Sequence, residues 1–208
     1  KARDAQITAL CHNNFDGLYE VDLTAYTDRM IFGTAVKDYT FTFFRTQSEA
    51  QSFSSTPIAN PSSFTFPSTL TRLWVRVENV PGCFDIAFID LKYGTKVPIN
   101  KGPFNLNPCD AGNNKTETVD LTQLQTKIYG SQATFEYYES NEDLANGKQI
   151  ATPSSYIYTA TAAPKKVIVK VLAPGFCAEK TEINLSLRQS PVFSVADQYF
   201  CLQEPANF

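Results

Sequence analysis

Histidine, tryptophan and methionine occur once each in 208 residues. With His12 as the sole imidazole, a metal centre of mixed cysteine and histidine ligands is excluded, because no two cysteines lie close together as a C-x-x-C pair requires. Glycine is also sparse. Nine are present, none spaced as G-x-G-x-x-G or G-x-x-x-x-G-K, so no backbone cradle for a phosphate is written in the chain. Positive charge is in deficit: 18 Lys and Arg stand against 21 Asp and Glu, a net charge of −3. That balance argues against the broad basic surface needed for nucleic acid. No run of 18 or more apolar residues occurs and no charged-then-apolar leader opens the chain. The expectation is a segment that neither spans a membrane nor retains an export signal, both being supplied elsewhere in a parent protein.

What the chain does contain, it contains twice. VDLT occurs at 21–24 and again at 119–122; YTFTFFRTQSEA at 39–50 answers ATFEYYESNEDL at 133–144, and LWVRVENVPGC at 73–83 answers VIVKVLAPGFC at 167–177. The offset is 98 residues at the first landmark (119 − 21) and 94 at the others (133 − 39, 167 − 73). PVFSVADQYFC at 191–201 then repeats PINKGPFNLNPC at 98–109. A period this long exceeds that of solenoid repeats, about 20–50 residues, and suits beads that fold independently. The expected division is a first unit over 1–97, a second over 98–190 and the start of a third over 191–208, with GTKVPINKGP (94–103) and SP (190–191) as connectors.

The repeat explains an odd cysteine count. Each full unit holds one cysteine near its start (Cys11, Cys109) and one at a turn near its end (Cys83, Cys177), and Cys201 opens the third. Small secreted domains use cysteine for disulfides, which places the chain in an oxidising or extracellular compartment. Two connectivities are open. Cys11–Cys83 and Cys109–Cys177 close each unit on itself; Cys83–Cys109 and Cys177–Cys201 join each unit to the next. The first is preferred, because a turn cysteine that begins a last strand is a strand length from the following bead; Cys201 is then unpaired. A bridge closing about 70 residues contributes on the order of 3–5 kcal/mol, comparable with the net stability of so small a domain.

Secondary structure reads as strand. Leu73, Val75 and Val77 alternate with Trp74, Arg76 and Glu78, as Val167, Val169 and Val171 do with Ile168, Lys170 and Leu172; period-two patterning on β-branched residues marks a strand with one face in a core. A turn and a second run (84–93, 178–187) make a hairpin that closes each unit. Further strands are expected at 18–23, 39–44, 116–121 and 134–138. Segments 24–33 and 122–130 read as helical turns stopped by Gly33 and Gly130 in the left-handed conformation. TQSE (46–49) and SNED (140–143) have capping-box spacing. The fold class is all-β: two tandem antiparallel β-sandwiches of immunoglobulin-like type with short helical turns.

A unit that opens with a cysteine and a short Asp/Gly-containing loop resembles a known pattern when it continues with VDLT, a paired-aromatic strand and polar turn (FFRTQSEA, YYESNEDL), then WVRVEN and a glycine–cysteine turn. It is similar to the tandem repeats of very large cell-surface proteins of Bacteroidetes, including gliding-motility adhesins exported by the type IX secretion system. The resemblance implies a non-catalytic, extracellular, surface-anchored adhesin segment whose partners are surface polysaccharide, an abiotic surface or another cell-surface component. In that family the opening loop is commonly rich in aspartate, a plausible hard-cation site. Here CHNNFDG (11–17) and CDAGNNK (109–115) supply one carboxylate each, Asp16 and Asp110. Calcium wants several oxygen ligands, and Asn, Asp and Gly are what tight turns use; a turn without a cofactor is the expectation, with Asp16 and Asp110 as weak calcium candidates. His12 has no counterpart in the second unit, so no histidine-dependent triad belongs to the repeated fold, and no carboxylate pair is marked out for catalysis. Trp74 is the one candidate ligand platform, set against a core-filling role. Two alternatives to the adhesin stand: a pure spacer in a surface stalk, and an accessory carbohydrate-binding array of a secreted hydrolase.

Overall fold

The computed structural model describes residues 1–12, 15–33, 36–80 and 83–189. The expected third unit with Cys201, and Asn13 and Asn14 of the first opening loop, lie outside the described residues. The first unit contains β1 (Ala5–Leu10), β2 (Leu18–Val21), β3 (Thr40–Phe44), β4 (Phe64–Pro67), β5 (Arg72–Val80) and β6 (Cys83–Tyr93). The second contains β7 (Phe104–Leu106), β8 (Cys109–Asp110), β9 (Thr116–Val119), β10 (Thr134–Tyr138), β11 (Tyr156–Thr159), β12 (Lys165–Leu172), β13 (Glu179–Leu185) and β14 (Arg188–Gln189).

In the first unit one sheet has the order β1-β6-β5-β3 and packs on the hairpin-like pair β2-β4. In the second, β10-β12-β13-β7 packs on β9-β11, and the short pair β8-β14 continues the edge. The architecture is a tandem of two immunoglobulin-like β-sandwiches. Their inward faces are the alternating apolar positions: Leu73, Val75 and Val77 with Tyr19, Phe64 and Phe66 in one core, Val167, Val169 and Val171 with Val119, Tyr156 and Tyr158 in the other.

The edge strand sets where each cysteine stands. β1 runs parallel to β6, in the register Ala5↔Ile89 and Ile7↔Leu91, shifts at Ala9 (φ 58°), and ends with Leu10 beside Tyr93. The second unit splits the same edge in two: β7 pairs parallel with β13 (Leu106↔Leu185) and β8 with β14 (Cys109↔Arg188). An opening cysteine therefore stands at the far end of the last strand, whereas the turn cysteine stands at its beginning.

Local elements follow from local chemistry. A short helix α1 (Gln47–Gln51) begins at a capping box in which Thr46 accepts from the Glu49 amide and the Glu49 carboxylate accepts from the Thr46 amide. Helix α2 (Gln125–Ile128) extends a 3-10 turn over Leu121–Leu124. Helix α3 (Asn141–Ala145) is capped by Ser140, which accepts from the Asp143 amide. Gly33 follows the 3-10 turn Thr24–Met30 with φ +94°, as expected, but Gly130 is not left-handed; α2 ends in extended backbone at Tyr129.

Candidate functional site at the joint between the sandwiches

The two units are joined by a disulfide between Cys11 and Cys177, with Cα atoms 5.2 Å apart and a sequence separation of 166. This corrects the expected pairing. Neither Cys11–Cys83 nor Cys109–Cys177 forms, and Cys83 and Cys109 are exposed thiols. The reason lies in the parallel edge. Cys11 follows β1 next to the end of β6, while Cys83 begins β6, an 11-residue strand; at about 3.3 Å per residue the two lie some 35 Å apart. Cys109 and Cys177 are separated in the same way by β13 and β14. The far end of the first unit's last strand is where the chain enters the second unit, so Cys11 meets the second unit's turn.

Backbone pairing seats that turn. Cys177 donates its amide to the Thr95 carbonyl at 2.8 Å, and its own carbonyl accepts from the Val97 amide at 2.9 Å, a parallel bridge between the connector and the turn. Gly94 lies beneath the sulfurs. A Cβ there would stand 2.4 Å from Cys177 Sγ and 3.2 Å from Cys11 Sγ, so the bridge occupies the space of a side chain. Arg188 is the equivalent residue of the second unit, since it donates to the Pro108 carbonyl as Gly94 donates to that of Leu10, both at 2.9 Å.

Two further contacts hold the joint. Phe15, from the first unit's opening loop, packs on a patch of the second unit formed by Tyr138, Leu144 and Ile168, and the Lys180 ammonium lies 5.1 Å from the centre of its ring, a cation–π contact. Burial and the Glu136 carboxylate, which accepts from the phenol at 2.7 Å, push Tyr138 up to about 12. On the connector side, Glu179 pairs with Lys101 at 3.1 Å and Lys96 at 3.6 Å. Burial acts to raise the Glu179 carboxyl, but the Lys180 amide and the two ammonium groups outweigh it and hold the group below its ordinary range.

His12 is half-buried: its ring meets Tyr19 edge-on at 5.0 Å and Phe15 at 6.0 Å, and its Nδ1 has no hydrogen-bond partner among the described residues. The acidic candidates hold turns. Asp16 accepts from the Leu18 amide at 2.9 Å, and Asp110 from the amides of Asn114 and Lys115 at 3.1 and 3.0 Å. Among the described residues no three His, Cys, Asp or Glu side chains converge on a metal position.

Trp74 is half-buried on the outer face of its strand, opposite Leu73, Val75 and Val77. Its ring meets Phe88 edge-on at 5.7 Å, and the Arg72 guanidinium lies over Phe88 at 3.7 Å. Beside it Arg76, 9% exposed, donates to the carbonyls of Ala50 (2.8 Å) and Ser52 (2.6 Å) and sits about 5 Å from the rings of Phe44, Phe53 and Phe84. The two units thus treat the same outer face differently. Ile168, equivalent to Trp74, is buried beneath Phe15 of the preceding unit, whereas the first unit covers its own face with aromatic rings around arginine. No helix among the described residues is long and apolar enough to cross a membrane.

The model of the Flavobacterium inter-domain disulphide bond domain matches residues 7–98 and again 105–191. No curated protein matches. Among solved structures, Sidekick-1 immunoglobulin domains 1–4 are similar over 90% of this chain and 47% of that one, at 10% identity and a TM-score of 0.23; this chain thus spans about half of that structure. The N-terminal Ig1-2 module of the Drosophila receptor protein tyrosine phosphatase DLAR is similar over 90% and 96%, at 9% identity and 0.26. The insect immune protein hemolin is similar over 90% and 52%, at 10% identity and 0.24. Likenesses this slight carry no argument about function.

Proposed function

The chain belongs to this Flavobacterium family of inter-domain disulphide bond domains, and we propose that it is a non-catalytic segment of a large secreted cell-surface adhesin, serving surface attachment and, in gliding cells, motion. The observation that supports this reading best is the Cys11–Cys177 bond, which joins one sandwich to the next rather than closing either on itself. Such a bond persists in an oxidising exterior, and a fixed joint suits a protein that must hold a distance from the cell. Residues 1–97 and 98–190 are the folding units of this reading, and 191–208 opens a third. Cys83 and Cys109, exposed equivalents of the bonded pair, are the points at which the staple would continue to neighbouring units. At Cys109 the seat would differ, because Arg188 stands where the first unit has Gly94.

Partners of the proposed adhesin are surface polysaccharide, an abiotic surface or another cell-surface component; export by the type IX system is part of the same reading. The test is retention of the purified, folded fragment on glycan arrays, glass and polystyrene. Binding to one of these is the expected result. Absence of binding everywhere, with folding intact, would leave a pure spacer, a reading favoured by the way Trp74 is engaged by Phe88 rather than presented as a bare platform. Retention on glycans that disappears in Trp74→Ala would instead favour the carbohydrate-binding array.

A further inference from the structure

The position of the inter-unit bridge has a mechanical consequence. Cys11 follows β1, the first strand, and Cys177 precedes β13, the last long one. Everything between them, residues 12–176, lies inside the covalent loop, and that includes β2 to β6, β7 to β12 and the short helices α1 to α3. We infer that the Cys11–Cys177 bond removes both sandwich cores from the path of a stretching force, so that tension crosses the pair along β1, one S–S bond and β13. The physiological use of this property rests on the adhesin reading above; the mechanics do not.

With the bond in place, a pull on the two chain ends loads β1 at both of its ends, at the N-terminus and at Cys11. The strand is stretched along its own axis. Its neighbour β6 is attached only through lateral hydrogen bonds and side-chain packing, so it follows without bearing net load. The same holds for β13, loaded at Cys177 and at its C-terminal end, with β12 and β7 as passengers. Without the bond the force must go round through residue 12. Because β1 and β6 are parallel neighbours, with Ala5 opposite Ile89 and Ile7 opposite Leu91, pulling the start of one and the end of the other slides the two strands past each other and loads their whole ladder in shear. The second unit is loaded in the same sense through β7 and β13, paired in parallel from Phe104↔Ile183 to Leu185↔Leu106. Each core then has to break before the chain lengthens.

Lengths distinguish the two cases. A separation of 166 residues at about 3.3–3.6 Å each releases about 550–600 Å when the loop opens fully. Residues 1–10 and 178–208, outside the loop, span no more than about 150 Å at full extension.

The test is single-molecule force–extension of the full chain, held at Lys1 and Phe208, before and after a thiol reductant is added to the tethered molecule. Oxidised molecules are expected to show no lengthening beyond about 150 Å up to rupture of the tether, and reduced ones two steps that together approach 550–600 Å. Cys11→Ser/Cys177→Ser should behave as the reduced chain without reductant, and Cys83→Ser/Cys109→Ser as the oxidised wild type. Should the first double variant fail to fold, reduction of the tethered wild type supplies the same comparison. Steps of several hundred ångströms from molecules whose Cys11 and Cys177 resist alkylation would overturn the inference. So would equal extension before and after reduction. Neither result depends on whether the fragment adheres to any surface, so failure here and failure of the adhesin reading are separately visible.

Discussion

Replacing Gly94 by alanine adds one carbon in the one place where the disulfide leaves none free. Gly94 does not adopt a positive φ, so the substitution carries no backbone penalty and its whole effect is steric. The new Cβ would lie 2.4 Å from Cys177 Sγ, 3.2 Å from Cys11 Sγ and 3.4 Å from the Ala9 carbonyl carbon. The first is far inside contact distance, and the obstacle is a pair of sulfurs fixed at both ends rather than the tip of a flexible chain. Overpacking of this kind costs about 1–3 kcal/mol. If the turn retreats to relieve it, that cost falls on the bridge, so the equilibrium between bridged and dithiol forms should shift by about 5- to 150-fold toward the dithiol, at about 1.4 kcal/mol per tenfold. The assay equilibrates the protein in glutathione buffers of graded potential, traps thiols by alkylation and reads the bridged fraction by mass spectrometry. Gly130→Ala is the control, since a Cβ there meets nothing closer than the Thr126 carbonyl at 3.7 Å. A Gly94→Ala midpoint identical to wild type would refute the seating described for the bridge.

Other outcomes follow from the same joint and from the first unit's outer face. Phe15→Ala in a Cys11→Ser background should loosen the docking of the units, removing about 1 kcal/mol of half-buried aromatic contact and increasing hydrogen exchange around Tyr138 and Ile168 while the first core keeps its protection. Arg76→Ala leaves the Ala50 and Ser52 carbonyls without their charged donor and should lower the stability of the first unit by about 2–3 kcal/mol, seen as a lower urea midpoint with an unchanged second-unit transition. The Glu179 carboxyl is held below its ordinary value of 4.5. Its contribution is therefore complete above that value and is lost as pH falls through the lower folded-state value. Glu179→Gln should accordingly flatten the acid limb of the stability profile below about pH 4.5 and leave the shape above pH 6 unchanged.

Much of this fold is legible in the residues. The alternation in LWVRV and VIVKV places the central strands, and Thr46 with Glu49 and Ser140 with Asp143 cap helices where their spacing predicts. Six strands, β1, β4, β7, β8, β11 and β14, are not marked by that alternation; β4 and β11 nonetheless carry a repeat of their own, since PSSF at 61–64 and PSSY at 153–156 each begin with a proline-led turn and open into FTFP or YIYT, four-residue runs too short for periodicity to stand out. The disulfide pairing was not legible for a different reason. Sequence shows that Cys11 lies near the start of a unit and Cys83 near its last strand, but proximity depends on the direction in which β1 runs along β6. An antiparallel edge would bring the start of β6 to the end of β1; the parallel edge puts them a strand length apart. The contact of Phe15 with Ile168 is equally hidden, because residue 113 of the second opening loop is asparagine and the repeat itself offers no second aromatic to notice. Gly94 was the available signal: a glycine beside the opening cysteine's partner strand, with arginine in the other copy.

The account as a whole depends on which cysteines are joined, and peptide mapping of the oxidised protein under non-reducing conditions reads that directly. A fragment in which the peptide carrying Cys11 is linked to the peptide carrying Cys177, with Cys83 and Cys109 open to alkylation, is the expected result. Recovery of Cys11 linked to Cys83, or of Cys109 linked to Cys177, would contradict it: each sandwich would then be closed on itself, and the covalent joint between them would not exist.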